Sequence, residues 1–340
     1  MKKFTIHMRC KGETMGIKLK KQFEEFHNEI KIVYGGELVK KRDMFEEEIK
    51  NNLPDILKEH DISVKKTDIN FFIQGSCATK TLIDTNGDID LDLAIELPID
   101  IDVNNDCRKV KGYVRDSIDK YNRTIDFKRP CITVDYQSDE MHIDLPVYAK
   151  NNNQLYLAIG KEQSDDYEWQ KCDPKGLNDY FKDNLENNSQ LRRMVRYLKK
   201  WKSISFNDDN SMPPSIALTI LACRHFASMN QEDDLTVFYN IVKGIYNEMS
   251  NDEAPYFYVY LPKQPYSDTM FKINRNKEYR KLFKTKMKSL LNNLTNAMNS
   301  SDDYTAGTYL QKIYGDIFPL PEKEVDSSSE NKYRRTSHFG

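Results

Sequence analysis

Long apolar runs are missing. No stretch of the 340 residues reaches the roughly 18 uninterrupted apolar residues of a transmembrane helix, and Met1-Lys2-Lys3-Phe4 is not followed by the apolar core of a secretory signal. A cytoplasmic location without a membrane partner is expected. Cysteine is sparse too: Cys10, Cys77, Cys107, Cys131, Cys172 and Cys223 stand apart, with no C-x-x-C and no Cys/His cluster. That pattern excludes zinc-ligand spacing and a disulfide framework, and leaves free thiols in a reducing compartment. Charge of one sign is not in surplus either, because 51 Lys and Arg face 53 Asp and Glu, so no global field draws the chain to nucleic acid. No internal repeat is visible. The length suffices for one large or two ordinary domains with a sizeable core.

What is present concentrates in Phe71 to Glu96, FFIQGSCATKTLIDTNGDIDLDLAIE. From Asp88 onward the residues alternate, with Ile89, Leu91, Leu93 and Ile95 on one face and Asp88, Asp90 and Asp92 on the other, as successive strand side chains do. The apolar face is buried in such a strand. Carboxylates two residues apart lie roughly 6 to 7 Å from one another and repel unless a cation sits between them. A wet acidic face is the plain alternative for an isolated D-x-D, but two further features weigh against it. Gly75-Ser76 follows an apolar run and brings small residues whose N–H groups and hydroxyl suit a phosphate. Eleven residues then separate Ser76 from Asp88.

The run MHIDLPVYA supplies another alternating strand, with Met141, Ile143 and Leu145 on one side and His142, Asp144 and Pro146 on the other. Asp144 is therefore a third carboxylate. A calcium loop starting at Asp84 fails on register, since Ile89 falls where an EF-hand needs Gly and Ile95 where it needs Glu. Asn86-Gly87 reads instead as a tight turn.

The Gly-Ser pair, the spaced D-I-D and the later H-I-D resemble the DNA polymerase beta-like nucleotidyltransferase superfamily. Together with QGSCATKT, TVDY, HIDLPVYA, the DP-x-GL at Asp173, LRRMVRYLKKWK and MPPSIALTIL, they resemble the bacterial cGAS/DncV-like nucleotidyltransferases over about residues 20–320. These are synthases of cyclic di- and trinucleotide signals in anti-phage defence. The resemblance implies an α+β fold: a mixed sheet with a helical second lobe, bilobal around a central cleft. It implies a catalytic lobe over 1–170 with N-terminal spanning helices, a helical lobe over 171–320 and a disordered tail over 321–340. Carried over by position, Asp88, Asp90 and Asp144 are the catalytic and metal-holding carboxylates for two magnesium ions, with manganese as the alternative. Asp90-Leu91-Asp92 is also a D-x-D at a permissible spacing; Asp88 and Asp90 are preferred because relatives usually carry an apolar or small residue where Asp92 stands. Gln74, Gly75, Ser76, Lys199 and Ser215 are implied on the nucleotide. The Cys/His zinc insertion of animal cGAS has no counterpart, so direct DNA sensing is not expected.

The remaining pattern organises this site. Lys18 to Val33 reads as a helix with Phe23, Phe26, Ile30 and Val33 inward. Glu37 to Leu57 reads as a long charged helix with Leu38, Met44, Phe45, Ile49 and Leu53 inward and a break or kink at Pro54; in relatives this helix spans both lobes. Strands are expected at Ile69 to Ile73, Cys131 to Tyr136, Met141 to Ala149 and Leu155 to Ile159, and helices at Cys77 to Leu82 and Asn104 to Tyr121. From Asp173 the pattern is helical. One helix carries Leu191, Met194, Val195, Leu198 and Trp201 on one stripe, and Arg192, Arg193, Arg196, Lys199, Lys200 and Lys202 around the rest. That basic face reads either as solvated or as reaching nucleotide phosphates. Ser215 fits the N-cap of Ile216 to Phe226, and Leu282 to Met298 and Tyr304 to Phe318 close the helical part. Residues 1–16 show no period, and the polar tail ends in a glycine, Gly340; the resemblance implies a conjugating ligase or sensor partner acting through such an end, and a functionless end is the equal alternative.

On these residues the chain is expected to be an enzyme that joins NTPs into a cyclic oligonucleotide. Two other readings stay open on sequence alone: a template-independent transferase acting on RNA ends or a protein side chain, and a non-catalytic nucleotide-binding scaffold.

Overall fold

In the computed structural model, which describes residues 19–84, 89–119, 123–136, 141–226 and 233–323, two helices lead the chain, α1 (Lys20–Ile30) and α2 (Glu37–Glu59). The part that follows is mostly strand: β1 (Asn70–Gln74), the four-residue α3 (Gly75–Ala78), β2 (Ile89–Leu97), α4 (Cys107–Ile118), β3 (Thr124–Phe127), β4 (Ile132–Tyr136), β5 (Met141–Leu145), β6 (Val147–Asn151), β7 (Gln154–Ile159) and β8 (Glu168–Cys172). Helices alone then follow: α5 (Pro174–Leu185), α6 (Ser189–Ser205), α7 (Ser215–His225), α8 (Asp234–Glu248), α9 (Phe271–Arg275), α10 (Lys277–Met298) and α11 (Asp303–Tyr314). The expected α+β architecture is present. Among the described residues no helix is long and apolar enough to cross a membrane.

The alternating acidic strand is the centre of the sheet. The order is β3-β4-β5-β2-β6-β7-β8, with β1 antiparallel on the other edge of β2. Along β2, Asp92 faces Asp144 of β5 and Ile95 faces Val147 of β6, both parallel and with the same offset in register. The single strand expected over Met141 to Ala149 therefore keeps one continuous ladder to β2 but is divided at Pro146. Its other neighbour changes there from β4 to β7. A proline lacks the N–H for a central ladder, and it is tolerated at the point where the strand exchanges partners. The Pro146 carbonyl still accepts from the Ile95 N–H at 3.0 Å.

Two apolar cores flank the cleft. One joins Leu91, Leu93 and Ile95 of β2 to Val110 and Val114 of α4 and to Leu38, Phe45, Ile49, Leu53 and Leu57 of α2. The other gathers α5 to α11 and also takes Phe23, Phe26 and Ile30 from α1. The apolar face of α2 thus buries in the sheet-side core, chiefly against α4, and α1 is the element that ties the leading segment to the helical lobe. Phe26 does this through aromatic contacts with Tyr197 at 5.4 Å and Tyr314 at 4.4 Å. Pro54 does not break α2, which continues to Glu59, because Leu53 and Leu57 hold that turn against the core. Val33, expected inward, lies past the end of α1 and is 74% exposed, and Met44, also expected inward, is exposed and lies outside the core. Strands β3 and β8 carry too short a period to have been anticipated, whereas α8 falls in the stretch from Asp173 read as helical. Residues 1–16, the Asn86-Gly87 turn, Tyr121 and the tail from 324 lie outside the described residues.

Helix starts follow local chemistry. Asp106, Asp173, Asn188, Asp233, Asn276 and Asp302 each accept an N–H of the first turn of α4, α5, α6, α8, α10 and α11. Ser215 is not such a cap. Pro214 occupies the N-cap of α7, and Ser215 is its first residue, free to turn its hydroxyl elsewhere.

Candidate active site

A cleft of about 650 Å³ opens between the sheet and the helical lobe, and its floor is the end of β2 beside β5. Asp90, Asp92 and Asp144 all line it. The two strands are parallel with Asp92 opposite Asp144, so the alternation of β2 presents Asp90 and Asp92 toward the same space. Asp88 lies outside the described residues. Among the described residues the carboxylates beside Asp144 are Asp90 and Asp92, so Asp92, the extra carboxylate of the sequence reading, lines the cleft with them.

Electrostatics bear this out. Burial pushes the Asp92 carboxyl up to about 7, with Asp144 and then Asp90 adding repulsion, while Lys199 pulls the other way. Thr133 donates to Asp144 Oδ1 at 2.5 Å and fixes that carboxylate's orientation. Among the described residues no three His, Cys, Asp or Glu side chains close into a ready metal cage. The three carboxylates share the cleft as an open set.

Gly75 and Ser76 stand at the edge of this group. Gly75 has φ +66°, and a Cβ placed on it would fall 1.9 Å from Asp92 Oδ2. Only a glycine allows the turn and the carboxylate to approach this closely. Gln74 lines the cleft and accepts from the Tyr148 hydroxyl at 3.1 Å, and burial pushes the Tyr148 phenol well above its ordinary value. Replacing Tyr148 by Phe is expected to cost about 1 kcal/mol through the unpaired Gln74 carbonyl, read as a fall in unfolding free energy. An unchanged value would mean that water satisfies Gln74.

The opposite wall comes from α6 and α7. Lys199 lines it, but its ammonium donates to the Thr81 carbonyl at 3.1 Å and hydroxyl at 2.9 Å, and burial pushes its pKa down to about 7. Lys202, three residues on and on the same face, donates to Ser215 Oγ at 2.8 Å. Burial lowers the pKa of Lys202 and Asp90 raises it, which places this cation within electrostatic reach of the acidic floor. Lys202 was legible only as part of a basic face; its spacing from Lys199 was the available signal. Lys128 and Asn178 also line the cleft, and nothing in their local sequence marked them.

Comparison with known proteins places this geometry. Residues 69–148, which contain Gly75-Ser76, Asp90, Asp92 and Asp144, match the family described as "Cyclic GMP-AMP synthase DncV-like, nucleotidyltransferase domain". That stretch of the chain is similar to a DncV-like nucleotidyltransferase domain. A cyclic GMP-AMP synthase of Escherichia albertii is 28% identical to this chain over 204 residues, 56% of this chain and 44% of that protein. This chain thus aligns with less than half of that relative's length. The likeness to solved structures is one of fold. The Bradyrhizobium diazoefficiens CD-NTase CdnG in complex with GTP superposes with a TM-score of 0.68 at 14% identity, covering 88% of this chain and 96% of that one. The GTP-bound form of Vibrio cholerae DncV gives 0.59 at 17% identity, covering 90% and 88%.

Proposed function

We propose that the protein joins nucleoside triphosphates into a cyclic di- or trinucleotide, releasing pyrophosphate, as a signal in bacterial anti-phage defence. The observation that carries this reading is the meeting of Asp90, Asp92 and Asp144, from two adjacent parallel strands, with Gly75-Ser76 on one side and Lys202-Ser215 on the other. The donor set is carboxylate oxygen throughout, the hard ligand type that magnesium and manganese take. Burial first, and then Asp144 and Asp90, raise the Asp92 carboxyl, and a cation among the three would relieve that repulsion. Asp90, Asp92 and Asp144 would hold the two ions, with Asp88 retained beside them from the sequence reading. Such ions supply Lewis-acid polarisation of phosphoryl oxygens and a lowered pKa at an attacking hydroxyl.

The chain's own groups do the positioning. Ser76 and Lys202 steady the triphosphate, the Ser215 hydroxyl keeps the Lys202 ammonium at the cleft wall, and Lys199 adds charge behind Thr81. Thr133 holds Asp144 so that one carboxylate oxygen stays directed by a fixed partner. Leu177, Phe181 and Ile216 offer apolar surface against which bases pack.

The test is incubation of the purified protein with mixed NTPs and magnesium, with mass spectrometry of the products. A phosphatase-resistant cyclic product is expected. Asp144→Ala should bring it below detection while costing only about 1 kcal/mol of stability, since one hydroxyl partner is lost. Product formation that required added RNA or protein would replace this reading with end or side-chain modification, and undiminished turnover by Asp144→Ala would remove Asp144 from the site.

A further inference from the structure

Helix α6 buries three basic side chains that form no ion pair among the described residues. Arg196, Lys199 and Lys200 are each less than a tenth exposed. Apart from one Arg196 nitrogen, which meets His27 Nε2 at 3.2 Å, their donors go to one short segment. Arg196 gives Nε to the Leu82 carbonyl at 3.2 Å and a terminal nitrogen to the Lys80 carbonyl at 2.5 Å. Lys199 takes the Thr81 carbonyl, and Lys200 the Asp84 carbonyl at 3.1 Å. Four carbonyls between residues 80 and 84 are thus gripped by one helix face of the opposite lobe.

The segment is held on its other side as well. The Asp84 N–H donates to the Ile30 carbonyl at 2.9 Å and the Ile32 N–H to the Leu82 carbonyl at 3.3 Å. Toward the cleft, the Thr81 N–H donates to the Ser76 carbonyl at 3.0 Å. Residues 80–84 therefore run from the Gly75-Ser76 turn toward the acidic strand while bonded to both lobes. Burying unpaired cations is costly, and an apolar face at these positions would stabilise the fold as well or better. Their chemistry fits another purpose: charge-assisted hydrogen bonds hold irregular backbone more firmly than neutral ones. Arg196 and Lys200 do not line the cleft, so they do not meet a bound nucleotide directly.

We propose that the basic face of α6 is a latch, in which Arg196 and Lys200 are positioning residues that fix segment 80–84 and, through it, the placement of Gly75-Ser76 and the β2 carboxylates relative to Lys202 and Ser215. This deepens the nucleotidyl-transfer reading and rests on it for its kinetic half. The structural half stands by itself, because it is read by hydrogen exchange.

The experiment compares wild type, Lys200→Ala, Lys200→Arg and Arg196→Lys by amide exchange at Thr81 and Asp84, and by kcat and KM with NTP. In Lys200→Ala the two amides should exchange about tenfold faster or more. The kcat value should fall about ten- to a hundredfold with KM within about threefold, the pattern of misplacement rather than lost binding. Lys200→Arg should recover both, and Arg196→Lys, which loses the fork that spans two carbonyls, should show an intermediate loss. Unchanged exchange in Lys200→Ala would overturn the latch, as would a raised KM with intact kcat, or an arginine variant no better than alanine. If Lys200→Ala does not fold, Lys200→Met keeps the packing of the stem and is read in its place. If wild type shows no nucleotide transfer, the functional reading fails while the exchange result still decides the latch.

Discussion

Asp92→Asn is expected to make the metal-free protein more stable at pH 8 and to abolish nucleotide transfer. The folded chain pushes this carboxyl up to about 7 from its ordinary value near 3.8, by burial first and then by Asp144 and Asp90. With a folded pKa above the unfolded one, the native state holds a proton that the unfolded chain has released. The site is therefore neutral and unpenalised below about pH 4, and stability is lost as pH rises from about 4 to about 7. Above that window wild type carries the full penalty, up to about 4 kcal/mol for a shift of this size. Lys199 offsets part of it. Asparagine has no charge to desolvate, so its advantage should grow from pH 4 to 7 and then level off. Thermal denaturation in EDTA across this range checks the sign, and saturating magnesium should shrink the gap by stabilising wild type selectively. A variant that melts below wild type at pH 8 in EDTA would show that Asp92 is satisfied as an anion.

Gly75→Ala is expected to lose both stability and turnover. Two penalties combine: a side chain at φ +66°, and a Cβ 1.9 Å from Asp92 Oδ2 in a site already closed by β1 and β5. The first is worth about 1 kcal/mol and the overpacking about 1 to 3, so a fall of about 2 to 4 kcal/mol in unfolding free energy follows. Displacing Asp92 by even an ångström should reduce turnover about a hundredfold. The two terms separate in a double-mutant cycle. With Asp92→Ala as background the clash disappears and only the backbone term remains, so the cost of Gly75→Ala should drop to about 1 kcal/mol. Equal costs in both backgrounds would show that Asp92 does not crowd the turn.

Much of the site was legible before any coordinates. The alternation of β2, the Gly-Ser turn behind an apolar strand and the lone Asp144 on a second alternating strand are local patterns. Asn188 before α6 and Asp173 before α5 are likewise local, and each takes the first-turn N–H that its chemistry invites. Other features were ambiguous for a definite reason. Asp88, Asp90 and Asp92 share one periodicity, so the strand by itself ranks none above another; the register Asp92 to Asp144 is a property of two strands some fifty residues apart. The basic face of α6 was open between water and phosphate. Its destination proved to be carbonyls more than a hundred positions away in sequence.

By itself, then, the amino-acid order determined which side chains share a face and where helices begin, because backbone dihedrals and first-turn hydrogen bonds involve only near neighbours. Only the tertiary structure decided that Asp92 stands opposite Asp144, that Gly75 must lack a Cβ beside Asp92, and that Lys199 spends its ammonium on Thr81 while Lys202 faces the cleft. Those outcomes depend on burial and on register between distant segments. Both set the local dielectric and the distances between charges, and neither has a signature in the order of residues along one strand.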